Sequence, residues 1–151
     1  MLIRVDDLGG PEIVALLETH VRDMRSESPE ESCHVLDLDG LRQPEITFWT
    51  VWDGDRLAGC GAIKELDASH AEIKSMRTAD AYRGRGVGSA MMRQILEEAA
   101  KRGYLRLSLE TGAGDYFAPA RALYDKFGFV VCPPFADYRV DPNSYFMTRV
   151  I

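Results

Sequence analysis

The sequence predicts an α/β (α+β) fold on three observations. Two β-rich runs flank Asp53-Gly54 in "EITFWTVWDGDRLAGCGAIKEL", and this dipeptide tolerates the positive φ angles of a tight turn, so the runs pair as an antiparallel hairpin. Downstream, "HAEIKSMRT", the glycine-rich "RGRGVGS", the apolar stripe of "AMMRQILEEAA" and "YLRLSLET" make a strand, loop, helix and strand in succession. Apolar residues at helical spacing mark one further segment on either side of this block.

Each element has its own signal. "LIRV", ended by Asp6-Asp7, reads as a first strand. Pro11 suits a first helical turn, and Ile13, Leu16, Leu17, Val21 and Met24 share one face of a helix running to about Arg25. The polar stretch "SESPEESCHVLDLDGLRQPE" is too irregular for one element, although "CHVLDLDGL" suits a short helix, and such a segment is a candidate for covering a site. After the hairpin, "HAEIKSMRT" alternates Glu72, Lys74 and Ser75 with Ile73 and Met76, a third adjoining strand. Met91, Met92, Ile95, Leu96 and Ala99 then line one helical face, and Gly103 ends that helix. Leu105, Leu107 and Leu109 fall on one side of the next strand. In "FAPARALYDKFGF" the apolar stripe is Ala120, Leu123, Tyr124 and Phe127, and "FVVC" and "SYFMTRVI" supply the last strands.

The totals narrow the function. A chain of 151 residues, 46% of them hydrophobic, suits one domain spanning 1–151. Eighteen Lys plus Arg against 24 Asp plus Glu give a formal charge of -6, which disfavours nucleic acid or an acidic membrane as the main partner and favours a small molecule. Cys33, Cys60 and Cys132 are widely spaced without a CxxC pair, so reduced thiols are expected, with no disulfide framework and no metal cluster. No apolar run nears a membrane span and the N-terminus lacks a signal peptide's pattern, so a cytoplasmic location is expected.

A glycine loop entering a helix offers unpaired N–H groups at the positive end of the helix dipole, where an anion can approach closely. A bare tight turn would also use glycine, so the spacing has to decide. A P-loop would need Gly-Lys-Ser/Thr, but Gly88 is followed by Ser89 and Ala90; a GxGxxG dinucleotide fingerprint would need glycine where Ser89 stands. The pattern present is Arg83-x-x-Gly86-x-Gly88 after a strand and before a long helix. It resembles the cofactor loop of the Gcn5-related N-acetyltransferase (GNAT) superfamily. The separate segment "ARALYDKFGF" is similar to that superfamily's second cofactor segment. "CPPFADYRVDPNSYFMTR" and "FWTVWDGDRLAGCGAIKEL" resemble a bacterial acetyltransferase subgroup sometimes labelled by indole-3-acetic acid, although nothing in these residues specifies an indole.

The resemblance implies a central mixed, mostly antiparallel twisted sheet of six to seven strands, flanked by about four helices and containing a splayed parallel pair. It implies an N-acetyltransferase that uses acetyl-CoA to modify a primary amine of a small molecule by direct attack. A non-catalytic acyl-CoA sensor, or an enzyme acting on protein N-termini or lysines, is the alternative; a nucleotide-binding regulatory module is a more distant one. Cofactor contacts are expected at Met76, Arg77, Thr78, Arg83, Gly84, Arg85, Gly86, Val87, Gly88 and Ser89. Tyr124 occupies the general-acid position and is expected to contact the cofactor as well, its hydroxyl meeting the CoA sulfur; Glu72 is the first choice of base, with Glu110 in reserve. Phe117 stands where the second motif commonly has asparagine. The acceptor pocket is expected from the first helix and the loop after it, with Trp49, Trp52, Tyr116 and Tyr138, while Arg25, His34 and Lys64 would favour a carboxylate on the acceptor if they face the cleft. A homodimer is compatible with the resemblance.

Overall fold

A computed structural model describes residues Met1–Ile151. Seven strands form one sheet in the order β1-β2-β3-β4-β5-β7-β6: β1 (Leu2–Val5), β2 (Ile46–Asp53), β3 (Arg56–Asp67), β4 (His70–Thr78), β5 (Arg106–Gly112), β6 (Val130–Val131) and β7 (Ser144–Val150). All neighbours are antiparallel except β4 and β5. Four helices flank the sheet: α1 (Pro11–Glu27), α2 (Leu38–Leu41), α3 (Val87–Arg102) and α4 (Ala118–Lys126). Pro11 opens α1 as the sequence predicts, and the helix extends two residues past Arg25. The short helix expected in "CHVLDLDGL" is only four residues long, started by Asp37, whose carboxylate accepts from the Gly40 N–H at 2.9 Å.

The two faces of the sheet carry separate cores. On the α3 face, Trp49, Val51, Ile63 and Ile73 pack with Met91, Met92, Ile95, Leu107, Leu109 and Phe129. On the α1 face, Phe48, Cys60 and Ala62 pack with Ile13, Leu17 and Leu41. β2 and β3 are thus covered on both faces at their centres, which accounts for their long apolar runs.

Two irregularities prepare the site. Parallel pairing of β4 with β5 extends only from His70↔Arg106 to Ile73↔Leu109, and beyond it the strands diverge. Just there β4 bulges: Cys60 pairs Arg77 and Ala62 pairs Lys74, so Gly61 faces both Ser75 and Met76, and Ser75 takes φ +56°.

Candidate active site

Where β4 and β5 part, a cavity of about 550 Å³ opens, within the range of small-molecule sites. Its walls come from α1, the segment after it, the second half of β4, the glycine loop, the end of β5 and α4. The covering role expected of the polar segment is met: Ser28, Ser32, Cys33, His34, Val35 and Leu36 line the cavity. This cover is tied down where the Ser32 hydroxyl donates to Asp141 Oδ2 at 2.6 Å, ahead of β7.

Past Ile73 the edge of β4 facing β5 has no strand partner. The Ala79 N–H bonds back to the Ala58 carbonyl on β3 at 2.8 Å, so the two-residue period of extended chain turns the main-chain groups of Thr78 the other way, into the gap. At the end of this edge lies the loop. Gly84 and Gly86 have φ of +74° and +82°, left-handed values that glycine adopts without strain. The first N–H of this region to find a protein acceptor is that of Ala90, bonded to the Gly86 carbonyl. Six consecutive N–H groups, Gly84 through Ser89, therefore stand free at the positive end of a 16-residue helix. Arg83, Gly84, Val87 and Gly88 line the cavity, so these donors fit an anionic diphosphate at its mouth. Arg85 sits instead over the Tyr82 ring at 5.3 Å, and the Ser89 hydroxyl accepts from Lys126 Nζ at 3.3 Å.

The interior is lined by ionisable groups. Tyr124, 6% exposed, faces the cavity from α4. Burial, and then the nearby Glu110 carboxylate, hold its hydroxyl protonated well above the ordinary tyrosine range. Glu110, at the end of β5, is pushed up from 4.5 to about 7, chiefly by burial, with Glu72 adding to the shift and Lys74 opposing it. Glu72 is only 3% exposed, not an edge glutamate. Its Oε2 accepts from Tyr138 Oη at 2.5 Å and from Lys74 Nζ at 3.1 Å. Lys74 also donates to Tyr138 Oη at 3.2 Å, and the His34 ring meets Tyr138 edge-on with centroids 4.9 Å apart.

The structure brings together Glu72, Glu110, Met76, Arg77, Thr78, His34, Tyr116, Tyr124 and Tyr138, and corrects several expectations. Trp49 is buried in the α3-side core, because β2 has apolar cover on both faces and its odd-numbered residues point toward α3. Trp52 is also outside the cavity, its Nε1 donating to Thr50 Oγ1 at 2.8 Å beneath the Arg4 guanidinium. Arg25 is exposed: the stripe of α1 that reaches the cavity is His20 and Met24, and a residue one place on from Met24 turns about 100° away. Lys64 lies half-exposed beyond the cavity wall. Arg77 directs its side chain to α1 rather than along the cofactor edge. Phe117 is buried against Gly112, where even a Cβ would come within 2.0 Å of its ring, so it serves packing at the start of α4. Sequence reasoning missed His20, Cys60, Lys74 and Ser75 as wall residues. His20 did carry a signal, a polar residue in register with Leu17 and Met24 on an apolar helix face.

This constellation, a helix mouth with unpaired N–H groups beside a splayed sheet, has known counterparts. The model of the acetyltransferase (GNAT) family matches residues 13–129. An uncharacterized N-acetyltransferase of Bacillus subtilis (strain 168), YsnE, is 57% identical over 99% of both chains, and another of Escherichia coli (strain K12), YedL, is 51% identical over 99% of this chain and 94% of its own. Among solved structures, an acyl-CoA N-acyltransferase by name from Klebsiella pneumoniae superposes with a TM-score of 0.78 at 25% identity, covering 99% of this chain and 96% of that one. A GNAT family acetyltransferase from Elizabethkingia anophelis, solved with acetyl-CoA bound, gives 0.73 at 18% identity over 99% and 97%. The chain belongs to the acetyltransferase (GNAT) family and is an acyltransferase. No helix is long and apolar enough to cross a membrane.

Proposed function

We propose that this acetyltransferase moves an acetyl group from acetyl-CoA to a primary amine of a small molecule, with Tyr124 as general acid and Glu110 as general base. Acetyl-CoA is the acyl donor, and when bound it supplies an activated thioester. The observation that carries the reading is the run of six free N–H groups from Gly84 to Ser89, three of whose residues, Gly84, Val87 and Gly88, line the same cavity that holds Tyr124. Those donors hold the diphosphate, and the unpaired edge of β4 at Met76 and Thr78 orients the pantetheine arm.

Two carboxylates border the acceptor end, and their surroundings give them different roles. Glu72 has its Oε2 held by Tyr138 and Lys74, which suits it to positioning. Glu110 titrates at about 7, so its carboxylate takes up the acceptor's ammonium proton near neutral pH. Tyr124 Oη keeps its proton until the departing thiolate needs one. The covering segment excludes water. The test is release of CoA thiol with a panel of amines, comparing Tyr124→Phe with the parent. The variant should bind CoA equally and turn over about a hundredfold more slowly; unchanged turnover would remove Tyr124 from the acid role.

A further inference from the structure

Three buried polar atoms of the cavity wall have no partner: His20 Nδ1, Arg77 Nε and Ser75 Oγ. His20 is 7% exposed and Arg77 is 8%. An unpaired buried donor is costly, so such groups occur where something other than the protein completes them. His20 comes from α1 and Ser75 and Arg77 from the second half of β4, and all three line the cavity. The Arg77 guanidinium is fixed from two sides, Nη2 donating to Asp23 Oδ2 at 2.5 Å and Nη1 to Tyr116 Oη at 3.3 Å. That fork is held in place, with Asp80 Oδ1 a further 4.0 Å from Nη2, and its buried Nε–H has no partner. Beside it, burial and then the Arg77 charge hold His20 neutral, down to about 4. The place is built for an anion: one fixed guanidinium, one neutral imidazole able to donate in the right tautomer, and one hydroxyl. The side chain of Lys74, the cavity's other buried cation, is already engaged by Glu72 and Tyr138.

We infer that the amine acceptor carries a carboxylate, bound by Arg77 Nε with His20 and Ser75, so that the substrate class is amino-acid-like. The inference rests on the acceptor-site reading given above. The cations expected from the sequence, Arg25 and Lys64, do not contribute; Arg77, expected on the cofactor, does. The test is calorimetric titration of CoA-loaded protein with L-amino acids and with the carboxamide of each. At least one acid should bind about tenfold to hundredfold more tightly than its amide, the loss expected when a charge-assisted hydrogen bond is removed. In Ser75→Ala and in Arg77→Lys, which keeps the charge but not the guanidinium fork, that preference should shrink severalfold while CoA affinity holds. Ser75→Ala decides the matter alone if the lysine variant does not fold. Equal binding of acid and amide, no binding of any acid, or an undiminished preference in Ser75→Ala overturns the inference. Acetylation of amines lacking a carboxylate, without acid binding, would leave the acetyltransferase reading intact. Acid binding with no amine acetylated by acetyl-CoA would do the reverse.

Discussion

Replacing Glu110 by glutamine tests the catalytic assignment and the burial of its carboxyl at once. Holding a carboxyl at about 7 instead of 4.5 disfavours its ionised form by roughly 3 kcal/mol. The folded protein keeps a proton between those two values that the unfolded chain releases, so stability falls as pH rises through that window, and the penalty is complete above about 7. Glutamine has nearly the same shape and no charge. Glu110→Gln should therefore match the parent at pH 4 and exceed its unfolding free energy at pH 8 by up to roughly 3 kcal/mol, measured by urea denaturation. Activity moves the other way. In the parent, kcat/KM should rise with pH through a limb near 7; in the variant it should drop by about a hundredfold or more and lose that limb. A limb that survives in the variant assigns the base elsewhere. Equal stability at both pH values would mean that the carboxyl is not desolvated.

Two further outcomes follow from backbone and burial. Gly86→Ala has open space around the new Cβ but a φ of +82°, so it should lose about 1–2 kcal/mol from strain alone and weaken CoA binding, both read by denaturation with and without CoA. Gly114→Ala is the control: with φ −74° and open space, it should be neutral or slightly stabilising. Cys60 is fully buried and its thiol is pushed up to about 12, so a thiol reagent at pH 8 should label Cys33 and Cys132 in the native protein and reach Cys60 only on unfolding. Rapid labelling of all three would mean that the Cys60 sulfur, on the cavity wall, is open to the reagent and not buried.

The order of elements was legible because each has a local cause: the Asp53-Gly54 turn, the Pro11 start, the stripe from Met91 to Ala99. The mouth of the cavity was legible for the same reason, since glycines ahead of a helix are needed whatever surrounds them. The acceptor side was not. Trp49 lies on a strand covered on both faces, where an unbroken apolar run carries no information about direction. Arg25 and Met24 are adjacent in sequence yet point apart, and the phase that decides between them is set by packing of α1 on β3. Glu72 and Glu110 read alike as strand glutamates; only the partners supplied by distant Tyr138 and nearby Lys74 separate their roles.

The bulge at Ser75 determines more than a local kink. Ile73 and Met76 both point to the α3 side, Met76 close to Gly61 and Met91, whereas Glu72, Lys74 and Arg77 all point to the cleft. Regular alternation through Ser75 would reverse the last two residues, sending a methionine into the cleft and a guanidinium into apolar packing. Absorbing one extra residue keeps both on their proper faces, at the expense of a left-handed serine. A chain one residue shorter here would have the same inward and outward pattern on an unbroken strand, free to go on pairing with β5. The end of β4–β5 pairing at Ile73 thus coincides with a single extra residue, and deletion of Ser75 is the smallest change that tests whether that residue holds the two strands apart.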